Sequence, residues 1–429
     1  MMITWMRTLA LGCVAAVMAT PMAGLAQTVT LNVQYAWPSH KRFHDPLADA
    51  FMKQNPDIRI NYLSPAASYT DGQQRILRSA ATGNLPDVYY SGYNYLGELV
   101  RTLDAKHEIT DLTPILTREG GDWVKQNYSD NVLKLGQVDG RQWAIPFTSS
   151  TPIVYYNKTL LGAVGETEEA TQTWDGIIRA ARKMSDAGSA DGVSYAVNEW
   201  GDDWLWQALI LNAGGQMMKD DRSKVAFGDE SGEDAVKLIR RLVTETKMPF
   251  LDEDQAIQQF AAGKLGIFIG STAEVRVMGD AVGGKFQFGT AAYPKAVRGE
   301  GGLPVGGSAA TILTSDPAKQ QAAWEFVKFV TGPAGQKIVV LGSGYMPTNL
   351  QTVKSDYLGT FYSQHPEWTT SVGQWPIAKP WFGYPGGSGP RIWDEQKVVL
   401  SQIMRGEVTP QAGLTTLVEV TDRLAQLKN

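Results

Sequence analysis

One stretch of the sequence, residues 143–158, constrains the fold of this chain more than any other. It has the sequence WAIPFTSSTPIVYYNK, in which two prolines flank a group of hydroxyl residues and an apolar, aromatic run follows. Because proline has no backbone donor and a fixed φ, Pro146 and Pro152 fit poorly in a central strand and predict a bend. We therefore expect the chain to pass from one lobe to another here, with Ser149 and Ser150 facing the space between the lobes.

The size and composition of the chain favour two globular lobes. A chain of 429 residues is too long for one ordinary core, and a content of 43% hydrophobic and 19% charged residues is typical of globular proteins. The net charge is −5 and no long run of either sign occurs, which argues against a nucleic-acid partner. A basic helix that would bind a membrane surface is also missing from the sequence.

The N-terminal residues 1–26 have the pattern of a signal peptide. Arg7 supplies a positive charge, residues 9–19 are apolar, and residues 24–26 form a small-x-small cleavage site. The only cysteine, Cys13, lies in this segment and leaves a lipoprotein open as an alternative. Since no later segment is long and apolar enough to span a bilayer, we predict a soluble periplasmic protein without disulfides or thiolate metal sites.

The beginning of the mature chain predicts a parallel sheet. Period-two alternation predicts strands at residues 30–36 and 58–62, and Asp45 with Pro46 predicts the start of a helix between them. A strand, a helix and a strand within so few residues favour parallel pairing with a right-handed crossover. In such sheets, ligands bind beyond the carboxyl ends of the strands, next to helix N-termini.

The loop after the first strand lies at that edge and makes Trp37 and His40 candidate binding residues. His40, Lys41, Arg42 and His44 lie together in this loop, a composition that favours an anionic or strongly polar ligand. The alternative is a solvated basic loop. The spacing of the two histidines would suit a metal on a helix, but the helix is expected to start only after them, so we predict no metal site.

Other strand ends supply further candidate residues. Tyr93 and Asn94 follow an apolar strand, and Ser271 follows the buried strand at residues 265–269. Trp200 belongs to a dense tryptophan cluster, which is typical of sites that stack on the CH faces of sugars or polyols. An ordinary loop or core position is the alternative interpretation for the tyrosine and the tryptophans.

Two later segments complete the predicted organisation. Thr173 predicts the N-cap of a helix that has Trp174 in its first turn. The glycine-rich residues 301–308 precede an apolar strand starting at Ala309, and they predict a second crossing between the lobes. A clear amphipathic helix comes next, with Ser315 or Asp316 as its cap and Pro317 in its first turn.

Most sequence motifs for catalysis and cofactor binding are incomplete or absent in this chain. Residues 279–285 have the glycine and lysine spacing of a phosphate-binding loop, but Phe286 stands where a serine or threonine would bind magnesium. No Gly-x-Ser-x-Gly elbow is present. A glycosidase would need two carboxylates at a defined separation, and Asp202 or Asp203 together with Asp394 leaves that alternative open. We predict no enzymatic activity and no cofactor.

The order of the motifs resembles that of the extracellular solute-binding proteins that feed ABC importers for sugars. The resemblance rests on residues 146–158, 173–174, 263–264 and 344–347, and it extends over nearly the whole mature chain. It implies an α/β fold of two lobes, each a mostly parallel sheet flanked by helices, joined by a hinge. The expected lobes comprise residues 27–148 with 308–355, and residues 149–307 with 356–429.

Within that family, the sequence is most similar to the glycerol-3-phosphate-binding branch. The ligand contacts of that branch imply binding residues here at Tyr69, Ser150, Trp174, Ser271, Gly307 and Tyr345. Two departures stand out. Residues 91–94 hold no carboxylate where the branch has one. The phosphate-binding arginine of the branch is matched only loosely by Arg391, because a comparison without gaps places Trp393 at that position. We therefore expect a sugar or sugar-like solute, with glycerol 3-phosphate or another anionic polyol derivative as the alternative.

The sequence thus predicts a monomeric binding protein whose mechanism is hinge closure. It would contact a solute with both lobes at once and then dock on the transmembrane subunits of an importer. The expected contacts are Trp174 and Trp200 for stacking, and Ser150, Ser271, Gly307, Tyr345 and Arg391 for polar groups. The alternatives are a secreted carbohydrate-active hydrolase and a sensor or adhesin subunit that has no importer partner.

Overall fold

The computed structural model describes residues 28–296, 298 and 301–426, so the predicted signal peptide lies outside the described residues. The strands are β1 (Val29–Gln34), β2 (Ile58–Tyr62), β3 (Val88–Gly92), β4 (Gln137–Val138), β5 (Arg141–Gln142), β6 (Ala144–Ser150), β7 (Pro152–Asn157), β8 (Asp191–Tyr195), β9 (Leu265–Ser271), β10 (Phe288–Ala292), β11 (Leu303–Ile312) and β12 (Ala378–Pro380).

Helices connect and cover these strands. The α-helices are α1 (Lys41–Gln54), α2 (Tyr69–Thr82), α3 (Tyr93–Asp104), α4 (Thr113–Glu119), α5 (Gly121–Asn127), α6 (Asp130–Lys134), α7 (Lys158–Ala163), α8 (Trp174–Ala187), α9 (Trp204–Asn212), α10 (Glu230–Thr246), α11 (Glu253–Ala261), α12 (Val275–Val282), α13 (Pro317–Val330), α14 (Pro333–Gly342), α15 (Thr360–Gln364), α16 (Gly389–Arg405) and α17 (Pro410–Gln426). Shorter helical turns occupy Pro38–His40, Glu168–Gln172, Thr272–Glu274, Ser355–Gly359, Pro366–Trp368, Val372–Ile377 and Pro385–Gly387. Across the described ranges, none of the helices has both the length and the apolarity that crossing a membrane requires.

The larger sheet has the strand order β12-β11-β3-β1-β2, with β6 also paired to β11. The strand β1 runs parallel to β2 and to β3, which confirms the parallel pairing predicted for the start of the chain. The long strand β11 runs antiparallel to β3 and β6 and parallel to β12. Helices α1 and α13 bury their apolar faces against this sheet, where the rings of Phe51 and Phe326 lie 5.1 Å apart.

The smaller sheet has the order β10-β7-β9-β8. The strand β7 is antiparallel to both β10 and β9, whereas β8 is parallel to β9, so this sheet is mixed. The rings of Tyr155 and Phe268 stack at 5.7 Å on one face of the sheet. On the other face lie α8 and α10, against which α16 and α17 pack.

Thr151 links the larger sheet to the smaller one, because β6 ends directly before it and β7 starts directly after it. The two prolines of this stretch occupy positions that tolerate a missing N–H group. Pro146 lies at a register shift, opposite Ala309 on β11, and Pro152 is the first residue of β7. The flanking prolines therefore bend the chain without breaking a regular ladder.

The start of β11 differs from the sequence expectation. The strand begins at Leu303 rather than at Ala309, because residues 303–305 pair with β12, a segment that is remote in sequence. Gly307 consequently lies inside a strand of the larger sheet. The chain changes from the smaller sheet to the larger one between Ala292 and Leu303, so most of the glycine-rich residues 301–308 already belong to β11.

The start of α1 also differs from the prediction. The helix begins at Lys41, directly after a 3₁₀ turn, so that Asp45 and Pro46 lie inside it instead of at its N-terminus. Asp45 forms an ion pair with Lys41, with 3.7 Å between Oδ2 and Nζ. His44 falls on the buried face of the helix, where its ring stacks on that of Tyr35 at 4.0 Å.

Two other predicted helix starts are confirmed. The Oγ1 atom of Thr173 accepts a hydrogen bond from the amide of Gly176 at 3.1 Å and so caps α8. Asp316 caps α13 by accepting from the amide of Lys319 at 3.0 Å, and Pro317 is the first residue of that helix. In both cases a short polar side chain satisfies an amide that has no partner within the helix.

Candidate ligand-binding site

Hydroxyl groups gather where β6, β11 and α2 meet, beside the link between the two sheets. Thr148 and Ser308 lie opposite one another on β6 and β11, with 2.9 Å between their hydroxyl oxygens. The hydroxyl of Tyr69, the first residue of α2, is buried and has no hydrogen-bond partner among the described residues. Burial raises the pKa of this phenol despite the nearby hydroxyls of Thr148, Ser308 and Tyr345. Tyr69 is therefore an uncharged donor that a ligand could satisfy.

Tyr345 links this cluster to the loop after β1. Its hydroxyl lies 3.3 Å from Nε2 of His40. Burial, reinforced by the charge of Arg42, lowers the pKa of His40 to about 3. His40 is therefore a neutral ring at pH 7 and supplies no positive charge. The positive charges of this loop lie on Arg42, which is exposed, and on Lys41, which is paired within α1.

Two adjacent carboxyl groups, Asp202 and Asp203, precede α9 on the side of the smaller sheet. Burial, with the charge of Asp203 as a second cause, raises the pKa of Asp202 to about 8. Burial raises the pKa of Asp203 to about 6, although Asp203 accepts hydrogen bonds from Nε2 of Gln207 at 2.9 Å and Nε1 of Trp381 at 3.2 Å. Asp202 accepts from the amide of Trp204 at 3.2 Å through Oδ1.

A cavity of about 300 Å³ lies against Asp202, and we call it the acidic cavity. Residues from the two sides line it, with Asn94 and Tyr95 from α3 facing Gly201 and Asp202. The Oδ1 atom of Asn94 is buried and has no partner among the described residues. Asp394 also lines this cavity, so the carboxylate pair considered from the sequence does share one space.

Tryptophans border the same region. Trp37 has φ = 70°, a strained conformation for this residue type, and its ring meets that of Tyr69 edge-on at 5.8 Å. A β-carbon on Gly201 would lie 3.9 Å from Cη2 of Trp37, so the two sides approach one another here. Trp200 is half-buried, with its ring 5.9 Å from that of Trp204.

Several predicted residues have hydroxyl groups that are satisfied within the protein. The Tyr93 hydroxyl donates to the carbonyl of Thr148 at 3.0 Å and lies 3.0 Å from Oγ of Ser149. The Oγ atom of Ser271 accepts from the amide of Ala273 at 3.1 Å and so caps a 3₁₀ turn. These side chains hold the walls of the site in position.

Ser150 and Gly307 belong to the ladder between β6 and β11. Ser150 is buried opposite Gly306, where an added β-carbon would lie 2.9 Å from the serine Oγ. Gly307 has φ = 116°, and a β-carbon there would lie 2.1 Å from the carbonyl oxygen of Thr148. Only glycine allows the two backbones to approach this closely.

Trp174 and Arg391 do not line the acidic cavity, although Pro390 and Trp393 on either side of Arg391 do. The ring of Trp174 packs against Tyr293 at 5.5 Å and Tyr195 at 5.7 Å, because the first turn of α8 directs it into the core of the smaller sheet. Its accessible edge lines a separate cavity of about 270 Å³ that is bordered by Arg241. Arg391 is exposed on the first turn of α16.

Further carboxyl groups give the smaller-sheet side an acidic character. Burial raises the pKa of Glu253, and the charge of Glu274 and, more weakly, that of Asp202 act in the same direction. Burial also raises the pKa of Glu274, against the opposing charge of Arg42. Within the described part of the chain, no group of three or more histidine, cysteine or acidic residues is arranged to hold a metal ion.

Sequence reasoning did not select Asp202 as a binding residue. The available signal was an adjacent acidic pair directly ahead of a tryptophan-rich helix, at residues 202–206. Asp202 and Asp203 had been considered only as half of a catalytic pair. Their position beside Asn94 depends on packing between distant segments, which the local sequence does not encode.

Two mixed sheets, with a polar cavity lined from the side of each, define a two-lobed ligand-binding protein. The profile of the bacterial extracellular solute-binding protein family matches residues 37–337, and the chain belongs to this family. The family expected from the order of the motifs is thereby confirmed.

Individual relatives support this assignment. The diacetylchitobiose binding protein DasA of Streptomyces coelicolor is 24% identical over 364 residues, which cover 82% of this chain and 80% of that protein. The sn-glycerol-3-phosphate-binding periplasmic protein UgpB of Agrobacterium fabrum is 22% identical over 332 residues, or 75% of this chain and 73% of the relative. The glycerol-3-phosphate branch is therefore one of several to which the sequence is similar.

Solved structures confirm the fold class. The cyclic alpha-maltosyl-1,6-maltose binding protein from Arthrobacter globiformis superposes with a TM-score of 0.77 at 22% identity, covering 93% of this chain and 99% of that one. UgpB from Mycobacterium tuberculosis, in complex with glycerophosphocholine, gives a TM-score of 0.78 at 18% identity and covers 92% of this chain and 98% of that one. The two-lobed α/β fold expected from the sequence is the fold of this protein.

Proposed function

We propose that this protein is the periplasmic substrate-binding component of an ABC importer, which captures a sugar or sugar-like solute between its lobes and delivers it to the membrane permease. The observation that carries the proposal is a cavity whose polar walls come from both sides, with Asn94 and Tyr95 facing Gly201 and Asp202. A solute that contacts both walls favours the closed arrangement of the lobes. The protein would act as a monomer, without a cofactor.

We infer that the lobes rotate about the two links between the sheets. One link is Thr151, and the other lies between Ala292 and Leu303. In a hinge motion, a few residues of such linking segments change their φ and ψ angles while each sheet moves as a rigid body. The lobe boundaries expected from the sequence, near residues 148 and 307, are refined in this proposal to these two links.

The charges around the site favour a sugar over glycerol 3-phosphate. Asp202, Glu253 and Glu274 supply no positive charge for a phosphate group, whereas their carboxyl oxygens can accept hydrogen bonds from hydroxyl donors. His40 is neutral, and Arg391 does not line the acidic cavity. Several family members also carry names that describe sugar binding, such as the maltodextrin-binding protein MdxE of Bacillus subtilis.

The proposal is tested by calorimetric titration of unfolded, ligand-stripped and refolded protein. The panel contains neutral mono- and disaccharides, amino sugars and glycerol 3-phosphate, and we expect sugars to bind and the phosphate not to. The Tyr69→Phe variant should weaken sugar binding by about 3- to 10-fold, because one hydrogen bond is worth about 0.5–1.5 kcal/mol.

Tyr293→Phe is the matched control for this titration. It removes a buried hydroxyl that lies 2.8 Å from the Tyr195 hydroxyl in the smaller-sheet core, and it should leave affinity unchanged. Binding of glycerol 3-phosphate alone would contradict the sugar assignment. Equal affinities of the Tyr69→Phe variant and the wild type would remove Tyr69 from the site.

A second candidate function, hydrolysis of a glycoside, is favoured by one observation. Asp202, with its raised pKa, and Asp394 line the same cavity, as a general acid and a second carboxylate would. Family membership favours binding instead. Incubation with the bound saccharide followed by chromatography separates the two functions, since a hydrolase releases shorter products and a binding protein returns the saccharide intact.

A further inference from the structure

Two carboxyl groups that line the acidic cavity, those of Asp202 and Asp203, have no cationic partner among the described residues. The charged residues that line the cavity are Glu98, Asp202, Asp203, Asp394 and Lys397. The only cation in that set, Lys397, is engaged by Asp394, with 2.8 Å between Nζ and Oδ1. In the described part of the chain, Asp202 and Asp203 form no ion pair, and their bonded partners are uncharged amide, indole and carboxamide groups.

Two other carboxylates that lie largely out of solvent are paired with cations. Asp87, 4% exposed, lies 3.1 Å from Nζ of Lys319. Glu166 contacts Nε of Arg179 at 3.0 Å and Nζ of Lys183 at 2.7 Å. Because a buried charge is costly unless it is paired, an unpaired carboxyl group beside the cavity keeps its proton, and a cation from elsewhere would allow it to ionise.

The groups around Asp202 are hydrogen-bond acceptors or uncharged donors. Asp202 uses Oδ1 for the Trp204 amide, and among the described residues Oδ2 has no donor. Asn94 lines the same cavity, and its Oδ1 atom is buried without a partner in the described chain. Tyr69, 7% exposed with its hydroxyl unpartnered, lies close enough to Asp202 for that carboxylate to raise the pKa of the phenol after burial.

This arrangement suits an ammonium group better than a hydroxyl group. A protonated amine has three donors and a positive charge, so it can bond Asp202 and Asn94 together, whereas a hydroxyl group has only one donor. The rings of Tyr95 and Trp393 also line the cavity and offer faces to the carbon skeleton of a small solute.

We propose that the solute carries a protonated amino group, as an amino sugar or aminocyclitol does, and that Asp202 and Asn94 bind this group from opposite sides of the cavity. The inference rests on the proposed function, because it names the chemical class of the solute that the importer would carry. The charge of the solute completes the ion pair that the protein leaves open, and its binding draws the two walls together.

The test uses refolded full-length protein and three matched series of probes in calorimetric titrations. These are glucosamine, N-acetylglucosamine and glucose, each as a monosaccharide and as its β-1,4-linked dimer, so that the probes differ only in the group at C2. The amine series is expected to bind at least 10-fold more tightly than the other two. The Asp202→Asn variant should lose about 10- to 100-fold in affinity for the amine and less than 3-fold for the hydroxyl series.

Two further variants separate the role of Asp202 from general effects on the cavity. Asp186→Asn makes the same chemical change at a carboxylate outside the cavity, one already paired with Lys247 at 3.0 Å, and it should alter amine affinity less than 3-fold. Asn94→Ala should weaken amine binding by about 3- to 10-fold by removing the second acceptor. Melting temperatures of all variants verify that they fold.

The outcomes distinguish this inference from the proposed function. Equal or tighter binding of the hydroxyl or acetamido series overturns the amino-group assignment and leaves the sugar-binding function in place. Equal losses for all three series in Asp202→Asn also overturn it, because Asp202 would then act without regard to charge. Failure of every saccharide to bind overturns the proposed function together with the inference.

Discussion

Replacing Gly307 with alanine should destabilise the protein strongly, although the change adds a single methyl group. Gly307 has φ = 116°, where an L-residue is strained, and its β-carbon would lie 2.1 Å from the carbonyl oxygen and 2.7 Å from the carbonyl carbon of Thr148. Both atoms belong to the backbone of β6, so no rotamer change relieves the contact. Strain of about 1–3 kcal/mol and overpacking of about 1–3 kcal/mol add to a cost of roughly 2–6 kcal/mol.

Denaturant unfolding of Gly307→Ala beside the wild type measures this cost as a shift of the midpoint. Gly279→Ala is the matched control, since Gly279 lies inside α12 and an added β-carbon would meet nothing within 4 Å. That control should gain about 0.5–1 kcal/mol, because alanine favours the helix. If Gly307→Ala unfolds at the wild-type midpoint, β6 and β11 can move apart without loss of stability. The close approach of the two backbones would then not require glycine, and the prediction would be refuted.

Two other predictions follow from the site. Trp174→Ala should destabilise the protein by about 3–5 kcal/mol through loss of core packing while leaving solute affinity within about 2-fold, and a large loss of affinity in a stable variant would return Trp174 to the binding site. The pKa of Asp202 is raised to about 8, so the folded state retains a proton that the unfolded state releases near its ordinary value of 3.8. The free energy of unfolding should therefore fall by roughly 3–6 kcal/mol between pH 4 and pH 8, and Asp202→Asn should abolish this part of the pH dependence in unfolding titrations.

The sequence predicted those parts of the fold that depend on local signals. Alternating apolar residues located β1 and β2, and short polar caps located the starts of α8 and α13. Such signals act within one strand or one turn of helix, so they remain visible without the rest of the chain. The order of the motifs also sufficed to predict the family, which the profile match over residues 37–337 confirms.

Other features could not be predicted because they depend on pairing between distant segments. β11 extends back to Leu303 because residues from β12 add a parallel ladder to it. The helix α1 starts at Lys41, directly after a 3₁₀ turn, and not at Asp45 and Pro46 as the local sequence predicted.

The sequence by itself determined the α/β class, the two prolines that bend the chain between the sheets, and the family. Tertiary structure decided which side chains line the acidic cavity. Trp174 has the same chemistry as Trp200 but is buried against Tyr293, whereas Asp202 meets Asn94 across a cavity. The physical reason is that burial and charge pairing are properties of a side chain's surroundings, and these come from segments far away in the sequence.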